Sequence, residues 1–98
     1  MFFYKKKKRK KPLISIITVV YNGEKYIEQT IKSVINQSFK DFEYIVIDGK
    51  SNDSTLSIIK KYRSKIDIII SQKDKNLWDA VNKGIKLSRG EIIGWISS

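Results

Sequence analysis

The 98-residue sequence contains neither cysteine nor histidine, and each absence removes a class of chemistry. Without cysteine there are no disulfide bonds, thiolate metal sites or cysteine nucleophiles. Without histidine a Ser-His-Asp triad is impossible, and the commonest general base and metal ligand is missing. Any chemistry must therefore come from carboxylates, lysines, hydroxyls, amides or a metal ion held by oxygen ligands.

Long apolar runs are also absent, and none approaches the roughly 20 residues that a membrane-spanning helix needs. The chain begins with a short apolar stretch, residues 1–4, that precedes its charges. A signal peptide has the opposite order, with charges first and an apolar stretch after them. The sequence therefore predicts a cytoplasmic protein.

Acidic residues are few: 10 of them stand against 20 lysines and arginines, for a formal net charge of +10. Seven basic residues form one run, Lys5 to Lys11, so residues 12–98 carry 13 basic and 10 acidic residues, a net charge of +3. We predict that residues 1–11 form a disordered arm, because such a segment buries little and repels itself. Pro12, the only proline, marks its boundary.

The basic run has more than one interpretation. It could attract an anionic membrane surface, at about 1 kcal/mol per nearby lysine or arginine, or simply keep the chain in solution. It also has salt-sensitive affinity for nucleic-acid phosphates, but no nucleic-acid reading module accompanies it. We therefore expect peripheral membrane contact through Lys5 to Lys11 or a solubilising tail, and no specific nucleic acid as a partner.

From Leu13 onward, short apolar runs alternate with stretches of helical periodicity. The runs are rich in β-branched residues and predict buried strands at residues 13–20, 43–47, 66–70 and 91–96. Between them, apolar residues recur on one face of each of three predicted helices. This alternation predicts an α/β fold, with a parallel sheet and helices on both of its faces.

In such a sheet, ligands bind beyond the carboxyl ends of the strands, where several polar and aromatic residues follow. Asp48 ends the second predicted strand, and it either accepts hydrogen bonds from a ligand or caps its own turn. Asp53 precedes a helix, which favours a capping role. Tyr21 either stacks on a flat base or packs on the first helix.

Further along the chain, Asp74 and Asp79 lie in a polar link and at the start of the third predicted helix. Acidic residues are favoured there by the helix dipole, so each by itself indicates solvent exposure rather than function. Asn82 and Lys83 either reach a phosphate or face solvent. No Gly-x-Gly-x-x-Gly fingerprint or Walker loop is present.

Three segments taken together resemble family-2 glycosyltransferases. PLISIITVVYNGEKYIEQTIKSVINQSF is similar to the family's opening strand and Thr-x-x-Tyr-Asn turn. FEYIVIDGKSNDST resembles its second strand, which closes on an acidic residue before a Gly-Ser-x-Asp-x-Thr loop. SQKDKNLWDAVNKGIKLSRGEIIGWISS resembles its Asp-Lys-Gly-aromatic-Asp-Ala-x-Asn-x-Gly stretch and the following strand. The resemblance covers residues 12–98.

The resemblance implies a glycosyltransferase A fold, a Rossmann-like α/β/α sandwich with a mainly parallel sheet. It implies that residues 12–98 are the N-terminal nucleotide-binding part of such a domain, with Tyr21 near the base and Asp48 bonded to the base or ribose. Lys50 departs from the family, which usually has Gly or Asp there. By position, the implied nucleotide-binding residues are Thr18, Tyr21, Asp48, Asp53, Asp74, Asp79, Asn82 and Lys83.

The implied activity is sugar transfer from a nucleotide-diphosphate donor, of uridine type, to a hydroxyl acceptor. In this family the strand matching residues 91–96 leads into an Asp-x-Asp motif that holds Mg²⁺ or Mn²⁺. The sequence reaches Ser97 and Ser98 without that motif, so we expect no metal ligands or catalytic residues in it and no turnover by the isolated chain. A non-catalytic nucleotide-binding or interaction module remains the alternative.

Overall fold

The computed structural model describes residues 1–6 and 10–97. Strands and helices alternate along most of this length, as the apolar patterning predicts. A short 3-10 turn, Arg63–Lys65, follows the second helix. The elements are β1 (Phe2–Lys5), β2 (Ile14–Val20), α1 (Ile27–Ile35), β3 (Phe42–Asp48), α2 (Thr55–Lys61), β4 (Ile68–Ser71), α3 (Leu77–Leu87) and β5 (Ile92–Ser97).

The strands form one sheet in the order β1-β4-β3-β2-β5. The pairs β4–β3, β3–β2 and β2–β5 are parallel, and β1 alone among the described strands is antiparallel to its neighbour. The predicted mainly parallel sheet is therefore confirmed. Because the strands are parallel, the carboxyl ends of β2 and β3 meet at one edge, with Val20 opposite Asp48.

Alternate residues of the strands point to opposite faces of the sheet, and each face carries its own helices. Tyr44 and Val46 of β3 pack with the buried side of α1, while Ile45 and Ile47 pack beneath α3. The three-layer α/β/α architecture follows from this division. Each fully buried isoleucine contributes about 1.5–3 kcal/mol through removal of its side chain from water.

The N-terminal segment corrects one prediction, because Phe2–Lys5 is a strand rather than disordered. It runs antiparallel to β4, with Phe2 opposite Ser71 and Lys5 opposite Ile68. Phe2 and Tyr4 pack against the α1 and α2 side of the core. Hydrogen bonding along the edge of β4 and burial of two aromatic rings outweigh the repulsion of the adjacent charges. Lys7 to Arg9 lie outside the described residues.

The strand β5 differs from β2, β3 and β4, because every one of its residues is exposed. It pairs with β2 on one side, and the exposed fractions of Ile92, Ile93, Trp95 and Ile96 lie between 41% and 55%. The rings of Trp95 and Trp78 of α3 form a T-shaped pair, with centroids 5.9 Å apart. Within residues 1–6 and 10–97, no helix is both long and apolar enough to cross a membrane.

Candidate functional site

A cleft of about 780 Å³ opens at the carboxyl ends of β2 and β3, beside the start of α3. This is the position at which parallel sheets bind ligands, and the volume suits a small molecule. The loops after β2, β3 and β4 supply most of the wall. The lining residues are Val19, Val20, Tyr21, Gly49, Lys50, Asn52, Lys73, Asp74, Asn76, Leu77, Ala80 and Ser97.

Tyr21 presents an exposed ring to the cleft, with 58% of the residue accessible. The turn that carries it is bonded to the loop after β3: the Asn22 N–H donates to Ser51 Oγ at 2.7 Å, and the Asn52 N–H donates to Asn22 Oδ1 at 2.8 Å. Asn22 adopts φ 49°, a left-handed conformation that asparagine tolerates. These contacts hold the two loops together and leave the face of the Tyr21 ring available for stacking.

Asp48 lies beneath the cleft and is fully buried. Its Oδ1 accepts a hydrogen bond from Ser51 Oγ at 2.5 Å, and its Oδ2 accepts from the Ser51 N–H at 3.1 Å and Ser71 Oγ at 2.6 Å. Asp48 is not among the residues that line the cleft. Of its two sequence-based interpretations, the structure matches the one in which the carboxylate caps its own turn.

Thr18 and Asp53 also form structural contacts away from the cleft wall. The Thr18 hydroxyl is buried and hydrogen-bonded to the Tyr44 hydroxyl at 2.8 Å, on the α1 and α2 face of the sheet. Asp53 accepts hydrogen bonds from the Thr55 N–H at 2.9 Å and from the Glu24 N–H at 3.3 Å. A further bond from the Thr55 hydroxyl is the main reason why the pKa of Asp53 is lowered. Asp53 therefore orders the start of α2.

Lys83 joins the two acidic residues of the α3 region. Its Nζ forms an ion pair with Asp74 Oδ1 and lies 3.6 Å from Asp79 Oδ2. The Asp74 side chain is only 8% exposed and lines the cleft. Asp79 also accepts a hydrogen bond from the Lys75 N–H at 3.1 Å, which is the main cause of its lowered pKa, with the positive charge of Lys83 adding to it.

The start of α3 is capped by Asn76, whose side chain accepts a hydrogen bond from the Asp79 N–H at 2.9 Å. Asn82 lies exposed on α3 and is not part of the cleft wall. The structure thus brings Tyr21 and Asp74 to the cleft, with Asp79 and Lys83 bonded behind Asp74. It does not bring Thr18, Asp48, Asp53 or Asn82 there.

Several cleft residues were absent from the predicted set, namely Gly49, Lys50, Asn52 and Lys73. Lys50 adopts φ 62°, so the loop after β3 makes a left-handed turn at this residue. A sequence signal for these residues did exist, because they lie in the polar loops that follow β3 and β4. Spacing alone could not show which loop residues turn toward the cleft.

The acidic residues of the site do not suit a divalent metal ion, which prefers several converging oxygen ligands. Over the described ranges, 1–6 and 10–97, no group of three or more acidic side chains lies close enough to hold one. Asp74 and Asp79 instead share the ammonium group of Lys83. In the described residues, the positive charge beside these two carboxylates is therefore that of Lys83 rather than that of a metal ion.

Residues 15–98 match the family model described as "Glycosyl transferase family 2". The chain is 35% identical over 106 residues to the chondroitin synthase of Escherichia coli, an alignment that covers 99% of this chain and 16% of that protein. It is 36% identical over 89 residues to the poly(ribitol-phosphate) beta-N-acetylglucosaminyltransferase TarS of Staphylococcus aureus strain MW2, with 86% and 16% covered. The chain therefore spans about a sixth of the length of these two relatives.

Solved structures agree with these matches. The crystal structure of S. aureus TarS 1-349 in complex with UDP superposes with a TM-score of 0.72 at 32% identity, over 87% of this chain and 27% of that one. The mannosyltransferase PcManGT from Pyrobaculum calidifontis, in complex with GDP-Man and Mn2+, superposes with a TM-score of 0.77 at 21% identity, over 86% and 26%. The predicted glycosyltransferase A fold is therefore confirmed. With the family match reaching from residue 15 to residue 98, the chain belongs to glycosyl transferase family 2.

Proposed function

We propose that this chain forms the nucleotide-binding part of a glycosyltransferase that moves a sugar from a nucleotide-diphosphate donor, of uridine type, to a hydroxyl acceptor. The observation that carries the proposal is the cleft at the carboxyl ends of β2 and β3, with the exposed Tyr21 ring in its wall. A base can stack on that ring. The UDP bound to TarS, at 32% identity, supports a uridine nucleotide as the ligand.

Charge in the cleft supports the diphosphate part of the ligand. Lys50 and Lys73 line it, and both present ammonium groups that attract phosphate oxygens. Asp74 and Asp79 share the single positive charge of Lys83, so Lys50, Lys73 and Lys83 together outnumber these two carboxylates and leave the region net positive. We assign nucleotide contact to Tyr21 and Asp74 and a positioning role to Lys83.

The other candidate residues take different parts in the proposed site. Asp79 supports Lys83 through their ion pair, and Asn82 lies at the exposed rim. Thr18, Asp48 and Asp53 build the core and the loops beneath the site. The Mg²⁺ or Mn²⁺ expected for the whole enzyme would need ligands beyond those that the described residues supply.

Isothermal titration of UDP into the 98-residue chain, with and without Mn²⁺, tests the proposal. We expect weak binding that does not depend on the metal. Tyr21→Ala should weaken binding about tenfold or more, since base–aromatic stacking contributes about 1–3 kcal/mol per base. Tyr21→Phe should bind within about twofold of the original, because the ring remains and, among the described residues, the Tyr21 hydroxyl has only a long 3.4 Å contact with Asn52 Nδ2.

The absence of UDP binding by the folded chain would overturn the proposal. A sugar-transfer assay on the same protein gives a second outcome. We expect no turnover, because no catalytic carboxylate is assigned within the described residues. Clear turnover would contradict the assignment of this chain to nucleotide binding alone.

We further propose that the basic run, Lys5 to Lys11, contacts an anionic membrane surface on the cytoplasmic side. Lys10 and Lys11 are exposed, and each basic residue near such a surface contributes about 1 kcal/mol. Lys6 Nζ donates to the Ser64 carbonyl at 2.7 Å, so Lys6 is left unchanged in the variant that tests this proposal. Replacing Lys7, Lys8, Lys10 and Lys11 with glutamine should abolish salt-sensitive co-sedimentation with phosphatidylserine vesicles. Equal sedimentation with neutral vesicles would contradict the proposal.

A further inference from the structure

We infer that Asp74, rather than Asp48, accepts the base-edge N–H of the bound nucleotide and thereby selects uracil over cytosine. The inference rests on the proposed nucleotide-binding function and deepens it. It names the residue that distinguishes two pyrimidines of nearly equal shape. The carboxylate of Asp74, the ring of Tyr21 and the lack of a side chain at Gly49 between them carry it.

Asp48 is too deeply enclosed for this role, because it is fully buried and does not line the cleft. Both of its carboxylate oxygens accept hydrogen bonds of 2.5–3.1 Å from Ser51 and Ser71, and the residue is fully buried. These bonds close the turn after β3 and join it to the end of β4. Contact between a base and the buried Asp48 carboxylate would require this turn to open.

Asp74, in contrast to Asp48, lines the cleft and has a carboxylate oxygen that accepts no hydrogen bond from the described residues. Its Oδ1 pairs with Lys83, and no hydrogen bond within residues 1–6 and 10–97 reaches its Oδ2. The side chain is nine-tenths buried, and the residue lines the cleft. No fully enclosed side-chain polar atom of the described residues lacks a partner, so Oδ2 keeps some solvent-accessible surface. A largely desolvated carboxylate oxygen in this position favours a donor from a ligand.

The position of Oδ2 relative to Tyr21 suits a base edge. A Cβ at Gly49 would lie 3.4 Å from Asp74 Oδ2 and 3.3 Å from Tyr21 Cδ1, so both atoms border the same small space. Tyr21 Cδ1 and Asp74 Oδ2 therefore lie within about 7 Å of each other, with no side chain at Gly49 between them. A base stacked on the Tyr21 ring can present its edge to Oδ2.

This geometry distinguishes donors from acceptors on the base. Uracil carries an N–H at position 3, which donates to a carboxylate, whereas cytosine carries a lone pair there, which faces the negative charge. Sites that hydrogen-bond one ligand strongly reject an analogue lacking the matching group. Lys83 keeps Oδ1 occupied, so Oδ2 remains the oxygen that meets the ligand.

The experiment compares UDP with CDP by isothermal titration into the 98-residue chain and its variants. The original chain should bind UDP at least about tenfold more tightly than CDP, as expected for a hydrogen bond to a charged group. In Asp74→Asn the preference should fall to about threefold or less, because an amide can present either an N–H or an oxygen. Asp79→Asn is the matched control: it removes the other partner of Lys83, lies outside the cleft wall, and should keep the preference.

A second variant covers the case in which loss of the Lys83 ion pair unfolds Asp74→Asn. Gly49→Ala adds a methyl group in tight contact with Tyr21 Cδ1 and beside Asp74 Oδ2, and it removes neither partner of that ion pair. It should weaken UDP binding about tenfold or more, since the methyl group obstructs the approach of a base edge to Oδ2. Unchanged UDP affinity in Gly49→Ala, equal UDP and CDP affinities in the original chain, or a preserved preference in folded Asp74→Asn would each overturn the inference. All three results leave nucleotide binding in place, whereas no nucleotide binding by the original chain would overturn the proposed function itself.

Discussion

Gly84 of α3 packs directly on Ile17 of β2, with no room for a side chain between them. A Cβ at Gly84 would lie 2.6 Å from Ile17 Cγ2 and 2.9 Å from Ile17 Cδ1. Ile17 is fully buried beneath α3, so it cannot turn away without displacing its neighbours. The close approach brings α3 down onto the sheet and thereby sets the position of its first turn at the cleft.

Gly84→Ala should destabilise the protein. Overpacking costs about 1–3 kcal/mol, and alanine recovers about 1 kcal/mol through its better helix propensity, so we expect a net loss of up to about 2 kcal/mol in the free energy of unfolding. Urea denaturation followed by circular dichroism measures it. Gly94→Ala in β5 is the control, because a Cβ there meets no atom within 4 Å. Equal stabilities of the two variants would contradict the close packing.

Thr18→Val should reduce stability without changing UDP affinity. Loss of the Thr18 hydroxyl leaves the buried Tyr44 hydroxyl without its 2.8 Å partner, which costs about 1–3 kcal/mol. The double variant Thr18→Val with Tyr44→Phe should recover much of that loss, because no unsatisfied polar group remains. Thermal or urea unfolding checks the stabilities, and titration with UDP checks the affinity. Weaker UDP binding by Thr18→Val would place this residue in the site after all.

Stability should fall at alkaline pH because of Tyr44. Burial raises the pKa of Tyr44 from 10.0 to about 12, with the Thr18 hydrogen bond opposing part of that effect. The neutral phenol is favoured in the folded state, so the stabilisation is complete below pH 10 and is lost as pH rises toward about 12. The expected loss across this window approaches about 1.4 kcal/mol per pH unit.

Urea unfolding at a series of alkaline pH values measures this effect. The Thr18→Val and Tyr44→Phe double variant should lose less stability across the same window. A smaller slope will remain in it, because the hydrogen bond to Glu28 also raises the pKa of Tyr62. Identical slopes in the two proteins would rule out Tyr44 as the cause.

Phe2 and Phe3 should differ sharply when each is replaced by alanine. Phe2 packs against the α1 and α2 side of the core, with Lys60 Nζ 4.2 Å from its ring centroid, whereas Phe3 points to the other face and is 50% exposed. Phe2→Ala should cost about 1–2 kcal/mol, less than a fully buried phenylalanine, and Phe3→Ala about 0.5 kcal/mol or less. Equal costs, measured by urea unfolding, would argue against the docking of β1 on β4.

The strands and helices from Ile14 onward could be predicted because their hydrophobic periods are local properties of the chain. β-branched runs such as Ile14–Val20 favour strands, and the spacing of Ile27, Ile31 and Val34 favours a helix. The strand β1 could not be predicted in the same way. Its stability comes from the edge of β4, more than sixty residues away, and the adjacent positive charges favoured disorder instead.

The residues of the candidate site also fall into two groups: those that the sequence could place and those whose role depends on tertiary contacts. Tyr21 and Asp74 were expected near the nucleotide from the family resemblance, and both line the cleft. For Asp48 the residues alone left two interpretations open. One of the two partners of its Oδ2 is Ser71, on a strand that pairs with β3 only in the folded protein.

The amino-acid sequence alone determined three things. The absence of cysteine and histidine excluded the chemistry that needs them. The alternation of apolar runs and the three family-like segments determined the fold class and the order of the main elements. Those are consequences of composition and of short-range periodicity. Tertiary structure alone decided that Phe2–Lys5 completes the sheet, that Thr18 and Asp48 turn inward, and that Asp74 keeps an oxygen free beside Tyr21. The physical reason is that a hydrogen-bonding side chain takes its role from the partners that folding brings to it, and those partners are distant in sequence.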